Sequence, residues 1–549
     1  MVRFKKKALS IVLALLMAFS IIFANGSTVL AQTKTVSAGS NGLQAAASFT
    51  KNKGIQTPKA LLNSRTNEYG LANNIQDGTI LHAWNWYFRD VTNHIQEIAD
   101  AGYSAVQVSP IQKEKSNQGL PQTSSWWALY QPENFKIGNI LGTRDDFKTM
   151  CQAAHQHGVK IIVDVVANHM ANNKNNQNDS DWSRWPLIDP AILNNESFWH
   201  QSDGDASDNS RYDMTQRSIG EPDLNTSNKD LQNIILSFLN DAQSCGADGF
   251  RFDAAKHIEL PTDPGCGSDF WPTIINGIKA KNPSVYAYGE VLQPAGTSSS
   301  NYTNYMSITA NNFGNNIRKA GWDFSAEDAK DIYFSIDAPP EKLVTWTENH
   351  DTYANNGDYS SRPTDDTRLR LEWGLIAGRS GTAPLFFVRP ADGMNGNIGG
   401  PGNPLWHNKQ VVEANKFHNA MIGQNENLKV SGQALIVDRG NVGTLITNLG
   451  DGTNLYCDTD LSDGSYADHI SGRTFTAKNG KLSGYLDSKS IAAIYNNSIV
   501  TNPTIQATPG IANGTVAFKD SQVVTLTMSS DTDYATYSIN DGIDETFSN

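Results

Sequence analysis

The sequence predicts an α/β chain: a (β/α)8 TIM barrel with a small inserted domain after the third strand, followed by a C-terminal all-β sandwich. Three observations predict it. Short apolar runs alternate with amphipathic, helix-period segments from Thr79 to residue 423. That alternation breaks once, after His169, for a stretch of roughly fifty residues rich in Asn, Asp, Ser and Trp, too long for an ordinary connection. Beyond Gln424 the helical periodicity vanishes, and short β-like runs alternate with Gly, Asn and Asp turns.

In chain order, Ile80-Leu81-His82-Ala83-Trp84 reads as the first strand. Val91 to Ala101 is the helix that follows, closed by Gly102 as a C′ glycine. Ala105 to Pro110 is the second strand. Thr143, with Asp146 three residues on, forms a capping box for the next helix, whose buried stripe is Phe147, Met150, Cys151 and Ala154. Ile161 to Val166 is nearly continuous apolar sequence, as a parallel strand covered on both faces should be. Leu231, Ile234, Ile235, Phe238, Leu239 and Ala242 recur at helix spacing ahead of a strand at Gly249-Phe250-Arg251-Phe252-Asp253. Val285 to Glu290, Lys342 to Trp346 and Pro384 to Val388 continue the series. The barrel is therefore expected over 77–169 and 216–423, the inserted domain over 170–215 and the β-sandwich over 424–497. Residues 498–549 read as the start of an additional β-module that ends without a closing element.

At the N-terminus, Arg3, Lys5, Lys6 and Lys7 precede an apolar run from Ala8 to Ala24, and Val29-Leu30-Ala31 offers small residues for cleavage. Residues 1–31 are thus expected to be a signal peptide and not a membrane span, the run being short and without a successor. Residues 32–76, rich in Ser, Thr, Asn, Gln and Lys, are expected to be a flexible leader or pro-segment. The net charge of −13 argues against nucleic acid or an anionic membrane as partner. Cys151, Cys245, Cys266 and Cys457 lie far apart without metal-ligand spacing, so buried thiols are expected. Twelve Trp, 18 Tyr and 21 Phe fill a core, and such flat rings also suit the apolar faces of sugars.

Strand alternation sends Phe250 and Phe252 to one face and Arg251 with Asp253 to the other. A strand interior rarely accepts an ion pair for stability alone, because desolvating both charges costs roughly what their attraction returns. Either the pair is structural, or Asp253 is held ionised and aimed into a pocket. The other strands favour the second reading. Glu290 ends one, Asp351 lies just beyond another and Asp164 sits on a fourth, with His169 and His350 close by. The C-terminal strand ends are where such a barrel builds its site. Two carboxylates about 5–5.5 Å apart would suit glycoside hydrolysis with retention. One attacks the anomeric carbon while the other protonates the leaving oxygen and then activates water.

These segments also resemble a known pattern. Asp164-Val165-Val166-Ala167-Asn168-His169, Gly249 to His257, Gly289-Glu290 and Asn349-His350-Asp351 are similar to the four signature regions of the α-amylase family. Trp126-Trp127-Ala128-Leu129-Tyr130-Gln131-Pro132 and Glu221-Pro222-Asp223-Leu224-Asn225 add two matches in the right order, within a resemblance spanning residues 77 to 497. It implies a secreted, monomeric, endo-acting enzyme that hydrolyses α-1,4-glucosidic bonds of starch with retention. Asp253 would be the nucleophile, held ionised by Arg251. Glu290 would be the general acid/base, with a pKa raised toward working pH. Asp351 would grip sugar hydroxyls and favour a distorted ring, and His169 and His350 would bond hydroxyls of the same sugar. Trp126, Trp127 and Tyr130 match a stacking platform, Gln131 a sugar contact, and Lys256 with His257 the glucan beyond the cleavage point. His82, Trp84 and Trp86, at the end of the first strand, are expected to help line the cleft.

The resemblance also implies ions. Asn168, Asp223 and the backbone carbonyl of His257 match structural calcium ligands; a further carbonyl is expected near Thr215, whose spacing to Asp223 departs by one residue from the pattern. Oxygen donors of this kind suit a hard cation. Arg251, Asn349 and Arg389 fall where chloride-dependent members bind that ion, although the two arginines would equally serve by neutralising the acidic cluster. Starch or a related α-glucan is the expected partner, with no nucleic acid and, in the mature form, no membrane. An exo-acting or transglycosylating relative would share these residues and differ in its cleft loops. A glucan-binding protein on a dead barrel would have lost Asp253, Glu290 or Asp351, and all three are present.

Overall fold

The structure is a computed structural model of the whole chain. It describes residues 65–495 except 175–182, 202–203, 294–295, 332–336 and 356–359, together with strands within 18–50 and 505–548. The chain divides into two units, Arg65–Asn496 and a second made of Met1–Ser64 with Asn497–Asn549.

The larger unit is built on eight parallel strands: β1 (Ile80–Ala83), β2 (Ala105–Val108), β3 (Lys160–Val165), β4 (Gly249–Phe252), β5 (Tyr286–Gly289), β6 (Ser307–Thr309), β7 (Leu343–Thr345) and β8 (Ala383–Phe387). Each pairs with the next, and β8 pairs with β1 to close the barrel. Around it run α1 (Phe88–Asp100), α2 (Arg144–Gln156), α3 (Lys229–Cys245), α4 (Phe270–Lys281), α5 (Asn311–Asp323) and α6 (Asp366–Ala377), with α7 (Lys409–Ala420) after β8. The capping box of α2 forms: the Thr143 hydroxyl accepts the Asp146 N–H at 3.1 Å, and the Asp146 carboxylate accepts the Thr143 N–H at 2.9 Å. Helix α3 stops at Gly246, whose φ of +117° needs glycine, and a Cβ there would sit 2.7 Å from that of Cys151. All four cysteines are free thiols, three of them buried.

Strand β6 has no counterpart in the sequence reading. It is three residues long and lies in a polar stretch with Ile308 as its only large aliphatic residue, so neither alternation nor a run marks it. Residues 65–76 are a correction to the expected leader. Leu71, Ala72 and Ile75 are buried, and Ile75 packs with Ile80, Ala105, Ile162, Val344 and Leu385 in the barrel interior.

Between β3 and α3 the described residues of the insert hold only short helices, Pro190–Leu193 and Arg211–Thr215, and a 3-10 turn at Glu196–Phe198. The described residues of the insert are tied by backbone bonds, such as the Asp189 N–H to the Glu133 carbonyl at 2.8 Å, and by side chains. Arg211 supplies one buried tie. Its guanidinium binds Asp263 at 3.0 and 2.8 Å, and donates to the Lys256 carbonyl at 2.8 Å and the Tyr302 hydroxyl at 2.9 Å.

After α7 come two four-stranded antiparallel sheets. β9 (Glu426–Ser431) pairs with β10 (Ala434–Arg439), β10 with β11 (Gly443–Asn448), and β11 with β16 (Ser490–Tyr495). β12 (Thr453–Asp458) pairs with β15 (Lys481–Leu486), which continues through β14 (Thr474–Lys478) to β13 (Gly464–Ala467). Ile436, Ile446, Leu455, Tyr466, Phe475, Leu482 and Ile494 form the shared core of this sandwich.

In the smaller unit, Ser27–Ala38 pairs with both Ala18–Ala24 and Gln522–Met528, and the latter pairs with Ile505–Thr508. Gln44–Thr50 pairs with Val516–Ala517 and with Tyr534–Ile539, which pairs with Glu545–Ser548. Sequence expected to be signal and leader thus supplies strands to the C-terminal module, consistent with the β-branched content of Thr28, Val29, Thr33, Thr35 and Val36.

Replacing Arg211 with Met would leave the buried Asp263 carboxylate without its cation. We expect this to cost about 3–5 kcal/mol in urea unfolding followed by tryptophan fluorescence; an unchanged midpoint would show that the tie is dispensable.

Candidate active site

The site is assembled by register. Asp164 on β3 lies opposite Arg251 on β4, and Phe252 opposite Gly289, so Asp164, Arg251, Asp253 and Glu290 reach the same level of the barrel. Arg251 is 4% exposed. Its Nη1 lies 2.7 Å from both Asp164 Oδ1 and Asp253 Oδ1, and its Nη2 2.9 Å from Glu290 Oε2. Because these nitrogens belong to one rigid fork, the Asp253 and Glu290 oxygens lie within about 8 Å of each other. Ala254 follows Asp253 in the left-handed region at φ +48°, a strained conformation for a residue with a Cβ, and its N–H donates to Glu290 Oε2 at 3.0 Å. The Tyr130 hydroxyl donates to the other Asp164 oxygen at 2.9 Å.

A cleft of about 280 Å³ opens above this cluster. Trp126, Trp127, Tyr130, Gln131, His169, Lys256, His257 and His350 line it with Asp253, Glu290 and Asp351, while Arg251 lies beneath. Tyr130 stacks on His350 at 4.9 Å, and Trp126 meets both edge-on. Among the described residues His169 Nδ1, His350 Nδ1 and Gln131 Oε1 are buried without a protein partner. Lys256 reaches across to Asp208 of the insert at 3.5 Å.

Three residues of the first strand region are a correction. His82 and Trp84 are buried behind the cleft wall, packed on His350 and Trp126, and do not line it. Trp86 lies past the end of β1 and packs against Trp406 and His94. The sequence reading missed Ile219, Glu221, Ala254 and Leu292, which also line the cleft. Glu221 stood inside a recognised motif, but nothing in the spacing marked it as more than a loop residue.

One arginine shared among several buried acids sets the charge states. Burial pushes the Asp253 carboxyl up to about 6 and Asp164 up to about 7, against the pull of Arg251. Asp351 is also pushed up to about 7, by desolvation and the Glu290 charge. Glu290 departs from expectation. Burial alone would raise it, but Arg251 and the Ala254 N–H bring it below the ordinary glutamate range. Nη2 faces Glu290 alone at 2.9 Å, whereas Nη1 is divided between Asp164 and Asp253 at 2.7 Å each. Burial and the nearby guanidinium lower His350 to about 3, so its ring is neutral at working pH.

Of the residues expected to hold calcium, Asn168 and Asp223 meet beside the insert. Asn168 Nδ2 donates to Asp223 Oδ1 at 3.1 Å, and His200 Nδ1 lies 2.6 Å from Asp223 Oδ2. His200 also reaches Glu259 at 3.3 Å. The His257 ring donates to the Met214 carbonyl, and the Thr215 carbonyl accepts from the Gln216 side chain at 3.1 Å. Burial drives Asp223 up to about 7, against the pull of His200. Among the described residues no three His, Cys, Asp or Glu side chains are arranged around one metal position. The expected donors are one carboxylate, one amide and two backbone carbonyls. This composition fits a hard cation.

The residues expected at a chloride site are otherwise engaged. Arg389 forms a two-armed pair with Glu348, at 2.9 and 2.7 Å, and donates to the Thr364 and Ser361 carbonyls. The Asn349 side chain caps the helix His350–Ala354 through the Thr352 N–H.

Fold and cleft define a (β/α)8-barrel protein with a carboxylate-centred, aromatic-walled site. The chain belongs to the α-amylase family: residues 86–363 match the alpha amylase catalytic domain. An α-amylase of Clostridium acetobutylicum is 39% identical over 443 residues, covering 79% of this chain and 55% of the relative. One from Butyrivibrio fibrisolvens is 33% identical over 470 residues, covering 76% of this chain and 47% of the relative. The chain thus spans about half the length of these curated relatives. Among solved structures, a maltohexaose complex of an α-amylase I mutant from Eisenia fetida has a TM-score of 0.62 at 20% identity, covering 80% of this chain and 99% of that one. An Anoxybacillus α-amylase has a TM-score of 0.60 at 17% identity, covering 77% and 99%. At these identities the likeness shows the fold alone.

The raised Asp253 carboxyl has a stability consequence. Its folded-state pKa of about 6 exceeds the unfolded value of about 3.9, so the folded chain binds the extra proton and loses stability as pH rises through that window. We therefore expect Asp253→Asn to unfold at a higher temperature than the parent at pH 7, with the gap closing toward pH 4. A gap that does not depend on pH would contradict this.

Proposed function

We propose that this chain is a secreted, endo-acting α-amylase that hydrolyses α-1,4-glucosidic bonds of starch and related glucans with retention. The observation that carries the reading is the meeting of Asp253 and Glu290 on two arms of one guanidinium, beneath a cleft with aromatic walls. Asp253 would attack the anomeric carbon while Glu290 gives its proton to the departing glycosidic oxygen. Glu290 would then take a proton from water, whose oxygen displaces Asp253 and frees the sugar. Tyr130 and Trp126 would stack on the ring, and Asp351, His350 and His169 would hold its hydroxyls. In the resting cleft the proton needed by Glu290 would be shared with the raised carboxyls of Asp253, Asp164 and Asp351. Entry of the glucan, which strips water from the cleft, is the step that would redistribute it.

The test is an assay on soluble starch. Glu290→Gln should lower kcat by about 10²–10⁴-fold and Asp253→Asn by at least as much, in variants that stay folded. NMR of the first product should show the α-anomer. Viscosity should collapse before much maltose appears. Retained activity in either variant would overturn the role assignment.

Calcium, general in the family, would be held by Asn168, Asp223 and the carbonyls of His257 and Thr215. When bound it supplies positive charge that ties insert to barrel. Chelation should lower the unfolding temperature and added calcium restore it. The Glu348–Arg389 pair supports neutralisation over chloride binding, so rates in chloride-free buffer should not change when chloride is added.

Export is supported by the N-terminal pattern and by the absence, among the described residues, of a helix long and apolar enough to cross a membrane. The pairing with Gln522–Met528 begins at Thr33, so cleavage after Ala31 would leave it whole. The mass of the secreted product should place its first residue at Gln32; a retained apolar run would refute export by this signal.

A further inference from the structure

We propose that Glu221 is a substrate-binding residue that adds a fourth carboxyl to the cleft and accepts hydroxyl hydrogen bonds from a glucose unit beside the bond that is cleaved. This rests on the reading of the site as a glucan cleft. Glu221 lies on the chain returning from the insert, two residues before Asp223, and lines the same cavity as Asp253 and Glu290. Gln131 Nε2 donates to Glu221 Oε1 at 3.0 Å. Among the described residues no protein donor reaches the other oxygen, Oε2, and no cation pairs with the carboxyl.

This carboxyl accepts one side-chain hydrogen bond among the described residues, the Gln131 bond. It stands in a cavity already walled by Asp253, Glu290 and Asp351, so its charge opposes theirs, and a position that breaks local electrostatic sense without compensation points to a ligand. An ionised carboxyl is an acceptor only, with lone pairs on each oxygen. With Oε1 pinned by Gln131, Oε2 is fixed in direction and remains available. Sugar hydroxyls are donors of matching reach, and hydrogen bonds to a charged acceptor are among the stronger ones. Gln131 then acts as the holder of Glu221 as well as a cleft residue in its own right.

The experiment compares parent, Glu221→Leu, Glu221→Gln and Gln131→Ala on maltoheptaose, with unfolding temperatures measured in calcium. A hydroxyl contact made equally in ground and transition states predicts KM about tenfold higher in Glu221→Leu with kcat within about threefold of parent. Glu221→Gln, which keeps an acceptor oxygen, should recover much of the loss. Adding Gln131→Ala to Glu221→Leu should raise KM by less than it does in the parent background. An unchanged KM in Glu221→Leu would overturn the proposal. So would a lowered unfolding temperature with kcat falling alongside, or a Glu221→Gln as impaired as Glu221→Leu. A parent that does not hydrolyse maltoheptaose would instead defeat the glucan reading itself; an active parent with an indifferent Glu221→Leu would defeat this inference alone.

Discussion

A single buried guanidinium, that of Arg251, governs the site. It faces Asp164, Asp253 and Glu290 from one place, at 2.7, 2.7 and 2.9 Å, and those side chains are almost entirely removed from water. One positive charge cannot balance three ionised acids where the surroundings are poorly polarisable. Burial accordingly raises the carboxyls of Asp164 and Asp253 against the pull of Arg251. Which acid is left charged is decided by how the five donor positions of the fork are shared. The charge pattern of the site is therefore a property of side-chain geometry more than of any residue's intrinsic acidity.

That geometry is inherited from the barrel. Parallel pairing sets Asp164 beside Arg251 and brings Glu290 in immediately after Gly289. Gly289 has to be small, because a Cβ there would lie 2.8 Å from both the Ala255 Cβ and the Met306 terminal carbon. The left-handed turn at Ala254 then aims an N–H at Glu290 that an ordinary strand exit would have sent elsewhere. A neutral shell surrounds the cluster. Tyr130 bonds Asp164 and stacks on His350, whose ring burial keeps uncharged, so it adds hydrogen-bonding capacity without altering the balance.

Much of this was legible in the sequence. Alternation placed Arg251 and Asp253 on one face, and strand ends placed Glu290 and Asp351 near them. The capping box of α2 and the glycine stops are local chemistry and read directly. What stayed hidden depends on distance in three dimensions. Strand β6 is too short to carry a period. Glu221, Ile219 and Leu292 lie in loops whose course follows from tertiary packing. Trp86 looked like a wall residue because sequence cannot say where β1 ends and the chain turns toward Trp406. The pKa of Glu290 went the other way from expectation because the sequence does not show that one arm of Arg251 and the Ala254 N–H both face it.

The segment after β4 serves two masters. Asp253 and Ala254 belong to the acidic cluster, while Lys256, Ile258 and Asp263, a few residues on, are gripped by Arg211 of the insert. Lys256 also reaches Asp208, and the His257 ring holds the Met214 carbonyl. The wall that carries Ile219 and Glu221 is thus fastened to the very loop that positions Asp253. Motion of the insert cannot open the cleft without pulling on the turn at Ala254, which is already strained. An insert that looks like an accessory to the barrel is for this reason part of the machinery that fixes the acids relative to one another.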